Sequence, residues 1–139
     1  MTLLDQLKRD EGFRPYAYQD SEGWLTIGYG TLIDKRKGGG IPRDIGELLL
    51  IRKMDEANKE LAAALTWTEL LDEPRLAVLQ NMAYNLGIVK LLGFRNTLKA
   101  VHDGEYAKAA GMMLQSKWAT QVGPRANRLA KQMESGKWQ

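Results

Sequence analysis

The stretch RDEGFRPYAYQDSEGWLTIGYGT, residues 9–31, decides the fold because the periodicity of the chain changes within it. Upstream, Thr2 and Asp5 have the spacing of an N-terminal capping box and predict a helix that ends at Gly12. Residues 14–33 combine alternating aromatic side chains with clusters of turn-forming residues, a pattern typical of two short strands with a tight connection. The sequence therefore predicts a helix followed by a small β-containing segment.

One acidic side chain of this stretch falls on an apolar helix face. Leu3, Leu4 and Leu7 form a stripe along the predicted helix. At about 100° per residue, Glu11 lies within roughly 40° of the mean direction of that stripe. We therefore expect Glu11 to be buried. Burial and the negative end of the helix dipole both favour the neutral carboxylic acid, which can donate a proton.

A second carboxylate and a hydroxyl follow in the strand-forming part. Asp20 begins a polar turn with residues 21–23, where we expect it to be exposed and ionised. Thr26 shares a strand face with Trp24 and Gly28, so its hydroxyl could hold a water molecule against Asp20. Two carboxylates in different environments suit cleavage of a glycosidic bond. Carboxylates are also common at helix ends and in turns for structural reasons alone, and spacing does not decide between these interpretations.

The composition limits the remaining chemistry. The chain has 139 residues, of which 44% are hydrophobic and 27% charged, as expected for one globular domain. It has no cysteine and a single histidine, His102, which excludes disulfides, thiolate catalysis and multi-histidine metal sites. We expect His102 to be exposed in a turn. Acid–base chemistry would fall to carboxylates, with no metal and no cofactor.

Membrane insertion is not predicted. The longest run of large aliphatic residues covers only residues 48–51, and the first residues lack the pattern of a secretory signal. The formal charge is +3, and from residue 104 onward six basic residues face two acidic ones. This local excess favours a polyanionic partner, such as nucleic acid or an anionic cell surface, or is ordinary surface chemistry.

The composition of the rest of the chain, and the positions of its glycine and proline residues, predict mainly helices. Residues 35–40, KRKGGG, match no phosphate-binding pattern and are interpreted as a flexible loop. Glycine and proline punctuation predicts a long helix and four shorter ones, over residues 44–65, 74–86, 94–101, 105–114 and 124–133. Apolar residues give the long helix one continuous face: Ile45, Leu48, Leu49, Met54, Ala57, Leu61, Ala64 and Leu65.

We predict a single domain of the α+β class, mainly helical, over residues 1–139. A β-containing lobe at residues 12–43 is joined by a connecting helix, residues 44–65, to a helical lobe. Residues 66–139 form that lobe together with residues 1–11. Two lobes imply a cleft, where ligands commonly sit.

Four segments of the sequence resemble the phage-type lysozymes, or endolysins, over nearly the whole chain. In DEGFRPYAYQDSEGWLTIGYG, an acid, a spacer of eight, an aspartate, a spacer of five and a threonine follow the family pattern. The others are NMAYNLG at residues 81–87, GFRNTLK at residues 93–99 and KWATQVGPRANR at residues 117–128. The resemblance implies a lysozyme-like fold. It also implies hydrolysis of the β-1,4 bond between N-acetylmuramic acid and N-acetylglucosamine in bacterial peptidoglycan.

The resemblance also implies roles for individual residues. Glu11 would be the general acid, Asp20 and Thr26 would direct the water, and the anomeric carbon would be inverted. A carboxyl separation of about 6.5 to 9.5 Å would agree with inversion. Arg125 matches an arginine that pairs with the catalytic glutamate. Positions that match cleft-lining residues of relatives are Leu32, Tyr84 and Thr97, and Asn85 is a further candidate.

Some positions depart from the family pattern or keep a structural interpretation. Thr31 stands where many relatives have histidine, so the ion pair that histidine often makes is absent. Met112 occupies a place where an asparagine would contact sugar. Trp118 is interpreted as a core residue, and Arg128 as a surface residue or a partner in a structural ion pair. Trp24 is left open between core and sugar platform.

The resemblance further implies the partners of the chain. They are the peptidoglycan polysaccharide and a separate membrane-permeabilising, holin-like protein, with a monomeric enzyme held in the host cytoplasm until release. One alternative is a lytic transglycosylase, which uses a single glutamate and forms an anhydro sugar. Another is a non-catalytic wall-binding or tail protein on the same fold. A nucleic-acid binder is disfavoured because the charge is mild and no recognition motif is found.

Overall fold

The computed structural model describes residues 1–33 and 40–139, so the loop predicted over residues 35–40 lies, apart from Gly40, outside the described residues. The described chain divides into two units, Met1–Leu50 and Ile51–Gln139. The boundary falls inside a long helix.

The first unit contains a capped helix, α1. The Thr2 hydroxyl accepts a hydrogen bond from the Asp5 backbone N–H at 3.2 Å, and the Asp5 carboxylate accepts one from the Thr2 N–H at 2.8 Å. Gly12, at φ 67°, ends the helix in a conformation that favours glycine. The predicted capping box and helix end are therefore confirmed, with α1 spanning Leu3–Glu11.

A small antiparallel sheet follows in the order β1-β2-β3. The two predicted strands are confirmed, and a two-residue strand is added to them. Gly28 and Gly30, at φ 67° and 72°, flank the turn between β2 and β3. The strands are β1 (Arg14–Gln19), β2 (Leu25–Gly28) and β3 (Thr31–Leu32).

The predicted burial of α1 is wrong. Leu4 and Leu7 are 60% and 46% exposed, and Glu11 is exposed as well. In the first unit, Thr26 is the only residue classed as buried among those whose burial is described. An apolar stripe is buried only where another element supplies opposing side chains, and about 50 residues are too few to build much core of their own.

The long helix α2 (Arg43–Ala64) likewise leaves most of its predicted apolar face exposed. Ile45, Leu48 and Met54 of its predicted apolar face are exposed, as is Leu49. Leu61 is buried, because it joins the core of the second unit. The predicted continuous face is thus realised only near the end of the helix.

The second unit is helical and holds the core. The predicted helices are confirmed to within two residues, whereas the short helices α4 and α7 and a 3-10 turn (Thr66–Leu70) were not separately predicted. Helices α6 and α8 form the most extensive pair, and α8 also packs against α3. The α-helices are α3 (Glu73–Leu86), α4 (Ile88–Leu92), α5 (Arg95–His102), α6 (Tyr106–Gln115), α7 (Lys117–Val122) and α8 (Pro124–Ser135).

One arginine fastens the end of α8 to the start of α3. Arg75 donates from Nε to the Met133 carbonyl at 2.7 Å and from Nη2 to the Glu134 carbonyl at 2.8 Å. Its Nη1 pairs with Asp72 at 2.8 Å, and its guanidinium lies 3.8 Å from the Tyr106 ring centroid. These contacts satisfy carbonyls that the end of a helix leaves without intrahelical partners.

The described chain has the predicted α+β, mainly helical class.

Within residues 1–33 and 40–139, no helix combines the length and apolar composition needed to cross a bilayer.

Candidate functional site

Glu11 lies at the last position of α1, close to the turn between β2 and β3. A Cβ placed on Gly30 would lie 2.7 Å from Oε2 of Glu11, closer than non-bonded atoms approach. The missing side chain of Gly30 therefore makes room for the Glu11 carboxylate. The positive φ of 72° at Gly30 places this approach in a conformation that other residues rarely adopt.

Asp20 closes the turn between β1 and β2. Its Oδ1 accepts backbone hydrogen bonds from Glu22 at 2.9 Å and from Trp24 at 2.8 Å, and its own N–H donates to the Trp24 carbonyl at 2.9 Å. The residue is half-buried, so the expectation of full exposure is wrong: the turn folds back over the carboxylate that organises it. Within the described residues, no hydrogen bond reaches Oδ2, which leaves this oxygen available to accept one from water.

Thr26 is buried in β2, and its hydroxyl donates to the Trp24 carbonyl at 3.2 Å. The side chains of Asp20 and Thr26 therefore both form hydrogen bonds with the backbone of Trp24, Asp20 with its N–H and Thr26 with its carbonyl. Leu32 is the strand partner of Thr26 and is half exposed. The structure thus brings Asp20, Thr26 and Leu32 together at one end of the sheet.

Two side chains of the NMAYNLG segment have partners in the second unit. The Asn85 Oδ1 accepts a hydrogen bond from the Trp118 indole at 2.9 Å. Trp118 is 3% exposed and packs edge-on against Phe94, so its predicted core position is confirmed. Tyr84 is half-buried, with the Lys53 ammonium 4.8 Å from its ring centroid.

Thr97 and Met112 line one cavity. Thr97 is 6% exposed on α5, and together with Met112 of α6 it borders a space of about 520 Å³. The cavity also has amide and hydroxyl walls, formed by Asn96, Gln115 and Ser116. Such a mixture of polar groups suits a ligand rich in hydroxyls and amides.

Arg125 sits at the start of α8 and is held by α3. Its Nε and Nη2 both donate to Oδ1 of Asn81, at 2.9 and 2.6 Å. Sequence reasoning missed Asn81 as this partner. A signal existed, because Asn81, Tyr84 and Asn85 have the i, i+3, i+4 spacing of one helix face.

The described part of the chain holds no cluster of three or more His, Cys, Asp or Glu side chains that could bind a metal ion. His102 is exposed as predicted, at the end of α5 instead of in a turn, and its ring lies edge-on to Trp67 at 5.2 Å.

The similarity to known proteins extends over all four segments that resemble the phage-type lysozymes. The family model described as phage lysozyme matches residues 8–134. Two proteins of Dictyostelium discoideum, probable T4-type lysozymes 1 and 2, are each 29% identical over 161 aligned residues, covering 97% of this chain and 95% of the relative. The pre-baseplate central spike protein Gp5 of Enterobacteria phage T4 is 26% identical over 93% of this chain but only 27% of its own length. The chain therefore belongs to the phage lysozyme family, whose enzymes hydrolyse peptidoglycan.

Proposed function

We propose that this chain hydrolyses the β-1,4 bond between N-acetylmuramic acid and N-acetylglucosamine, with inversion at the anomeric carbon. Glu11 donates a proton to the leaving glycosidic oxygen. Asp20 accepts a proton from a water molecule that attacks from the opposite face of the sugar, and the Thr26 hydroxyl orients that water. The reaction needs no cofactor and no metal.

One observation carries this proposal: the side chains of Asp20 and Thr26 both form hydrogen bonds with the backbone of Trp24. The two N–H donors on Oδ1 fix the orientation of the Asp20 carboxylate, and Oδ2 keeps its capacity to accept from water. Because the Thr26 hydroxyl donates its proton to the Trp24 carbonyl, its oxygen lone pairs can accept a second hydrogen bond from the same water. A fixed general base with an adjacent acceptor is what positioning a nucleophilic water requires.

Further residues are assigned to substrate binding and support. Leu32, Tyr84, Asn85 and Thr97 bind the glycan strand, and the cavity shared by Thr97 and Met112 supports a subsite at this position. Arg125 takes the supporting role that the family resemblance implies for it. Because Asn81 is a neutral amide, its hydrogen bonds orient the guanidinium without neutralising it.

We assign the enzyme to host-cell lysis as a monomer. It collects in the host cytoplasm until a separate holin-like protein permeabilises the membrane, and it then acts on the cell wall. The excess of basic residues after residue 104, six against two acidic ones, favours retention on an anionic envelope.

Digestion of purified peptidoglycan by Glu11→Gln tests the catalytic assignment. Loss of the general acid is expected to lower the rate at least about 100-fold. Asp10→Asn is the matched control, since Asp10 is the neighbouring exposed carboxylate on the same helix and pairs only with Arg9 in the described structure. Wild-type activity in Glu11→Gln, or equal losses in both variants, would refute the role of Glu11.

The products separate hydrolysis from the related reaction classes. Hydrolysis leaves a reducing N-acetylmuramic acid, whose initial anomer in an NMR time course reports inversion or retention. A lytic transglycosylase would leave an anhydro sugar lighter by one water. Binding to the wall without any product would indicate a non-catalytic wall protein.

A tail-associated role is the second candidate, favoured by the similarity to a phage central spike protein. An enzyme of this kind would open the wall locally during entry. Immunoblots of purified particles and of the surrounding lysate distinguish the roles: a lysis enzyme stays in the lysate, whereas a tail component is enriched in the particles.

A further inference from the structure

We propose that Met112 determines specificity at the cavity between α5 and α6 by contacting the methyl of a sugar N-acetyl group, an inference that rests on the proposed function. By the family resemblance, Met112 occupies a place where an asparagine would contact sugar. The cavity, of about 520 Å³, lies within the second unit and is bordered by residues 93–97 of one wall and by Met112, Gln115 and Ser116 of the other. Ligand pockets commonly have volumes of about 300 to 1,000 Å³, so this one is large enough for a sugar.

Thr97 offers the cavity a hydroxyl that the protein does not use. The residue is 6% exposed and lines the cavity, and its hydroxyl has no hydrogen-bond partner among the described residues. Within the described part of the chain, the one fully buried side-chain oxygen or nitrogen without a hydrogen bond belongs to Asn58. The Thr97 hydroxyl is therefore open to the cavity. It has lost most of its access to water without gaining a protein partner, so a polar group of a ligand would stabilise it.

The first turn of α5 supplies further donors to the same space. Its N-cap residue, Phe94, forms no side-chain cap. The first backbone bond of the helix runs from the Leu98 N–H to the Phe94 carbonyl at 2.9 Å, and the N–H groups of residues 95–97 have no partner in the described structure. Such groups point out of the N-terminal end of a helix. Together with the Thr97 hydroxyl, they can bind the carbonyl oxygen of an acetamide.

The remaining walls fit the rest of an acetamide. Met112 is half-buried and packs against the core, and the Phe94 ring is held edge-on by Trp118 at 6.3 Å. A thioether side chain adapts its shape to an apolar neighbour such as a methyl group. Gln115 is exposed and has no hydrogen bond through its side chain among the described residues, so its amide oxygen can accept from the acetamide N–H. A neutral N-acetyl group would use all three kinds of surface, whereas a hydroxyl in its place would leave that of Met112 unused.

Binding can be measured without hydrolysis. The probes are the methyl glycosides of N-acetylglucosamine, N-formylglucosamine and glucose, which contain no bond between two sugars. The N-formyl group keeps the carbonyl and the N–H and lacks only the methyl. We expect the N-acetyl sugar to shift the NMR signal of the Met112 methyl group, assigned with Met112→Leu, and to bind about fourfold more tightly than the N-formyl sugar, the effect of burying one methyl-sized group. The glucoside should leave the signal unchanged.

Met112→Asn is expected to abolish the preference for N-acetyl over N-formyl, whereas Met112→Leu keeps an apolar side chain of similar volume and should retain it. The Thr97 methyl signal reports binding in these variants. Leu114→Asn is the matched control, because Leu114 is a 46% exposed apolar residue of the same helix that does not line the cavity. The proposal would be overturned by a preference that survives in Met112→Asn or is lost equally in Leu114→Asn. Tighter binding of acetate than of the N-acetyl sugar would also overturn it, since this would indicate an anion site.

A kinetic comparison separates this proposal from the proposed function. The substrates are peptidoglycan samples that have been de-N-acetylated and then re-acylated with either acetyl or formyl groups. We expect the wild type to show a KM about fourfold higher on the formyl substrate with kcat unchanged, and Met112→Asn to show equal KM values. If the wild type cleaves neither substrate, the proposed hydrolysis is refuted while the N-acetyl contact is still decided by NMR. If it cleaves both with equal KM, only the role of Met112 is refuted.

Discussion

The carboxylate of Glu11 depends on a residue that has no side chain. Gly30 leaves the space that Oε2 occupies, and a methyl group there would come within 2.7 Å of it. Gly28 has nearly the same positive φ but no atom within 4 Å of its would-be Cβ. A side chain at Gly28 would therefore introduce backbone strain alone, whereas one at Gly30 would introduce similar strain and also displace the Glu11 carboxylate.

We predict that Gly30→Ala lowers the hydrolytic rate at least about tenfold more than Gly28→Ala. Both substitutions carry a similar backbone penalty of about 1 to 2 kcal/mol, whereas only the first displaces the Glu11 carboxylate. The measurement is the initial rate of peptidoglycan digestion, normalised to the folded fraction from circular dichroism. Equal rates for the two variants would show that the space at Gly30 does not position the acid.

Asn85 is predicted to stabilise the core through Trp118. Removing its side chain in Asn85→Ala leaves the buried indole N–H without an acceptor, at a cost of about 1 to 3 kcal/mol in unfolding free energy. Urea denaturation followed by tryptophan fluorescence gives this value. Asn127→Ala is the control, an exposed asparagine on α8 with no hydrogen bond through its side chain in the described structure, and it should change stability little. Similar losses in the two variants would contradict the assignment.

At the scale of elements, the end of α8 is held by Arg75 and terminated by Gly136. Gly136 has φ 66°, and a Cβ added there would lie 2.6 Å from Nη1 of Arg75. We predict that Gly136→Ala destabilises the protein by about 1 to 2 kcal/mol, because it combines a left-handed backbone with displacement of this guanidinium. Gly111 lies inside α6 with open space around it, so Gly111→Ala should stabilise by about 0.5 to 1 kcal/mol. Thermal melts of the two variants should shift in opposite directions.

The start of α3 adds a pH dependence to stability. Burial opposes ionisation of Asp72 and is the largest single effect, but the hydrogen bonds and charge of Arg75 together outweigh it and hold the pKa of Asp72 below its usual range. A carboxyl with a lowered folded-state pKa contributes stability above its unfolded pKa and loses that contribution as pH falls through the folded value.

We therefore predict that Asp72→Asn flattens the decline of stability below about pH 4, the ordinary range of an aspartate. Asparagine still caps the helix, so the change isolates the charge. Asp55→Asn, at an exposed aspartate with no ion pair in the described residues, is the control. Chemical denaturation at a series of pH values measures the slope, and identical slopes for wild type and Asp72→Asn would contradict the prediction.

Local chemistry made the helix ends and turns predictable. The capping box of Thr2 and Asp5 and the turn at Asp20 depend on residues a few positions apart, so the sequence contains their determinants. Burial was not predictable for α1, because periodicity identifies an apolar face without supplying the surface that covers it. The bond between Asn81 and Arg125 joins residues 44 positions apart, and it depends on the packing of α3 against α8. The candidate role of Arg125 came from the family resemblance alone, whereas the burial argument for Glu11 as a proton donor failed because Glu11 is exposed.

At the scale of the molecule, the two units differ in how they are stabilised. The first unit buries no apolar side chain among the residues whose burial is described, whereas the second has a core that runs from Leu61 to Met133. We predict that residues 51–139 expressed alone unfold cooperatively and that residues 1–50 alone do not fold. Dispersed amide NMR signals from the isolated residues 1–50 would contradict this prediction, as would a melt of residues 51–139 without a cooperative transition.

Helix α8 also determines when the chain can finish folding during its synthesis. It packs against α3 and α6, and Arg75 donates to carbonyls 58 and 59 residues further along the chain. The ribosome delivers α3 and α6 before α8, whatever follows α8 in the chain. Until α8 emerges, the faces of α3 and α6 that pack against it have no surface to cover them, and closing so long a loop must await its last residues. The second unit therefore completes its core only after α8 has left the ribosome, and until then the nascent chain is open to chaperones and proteases.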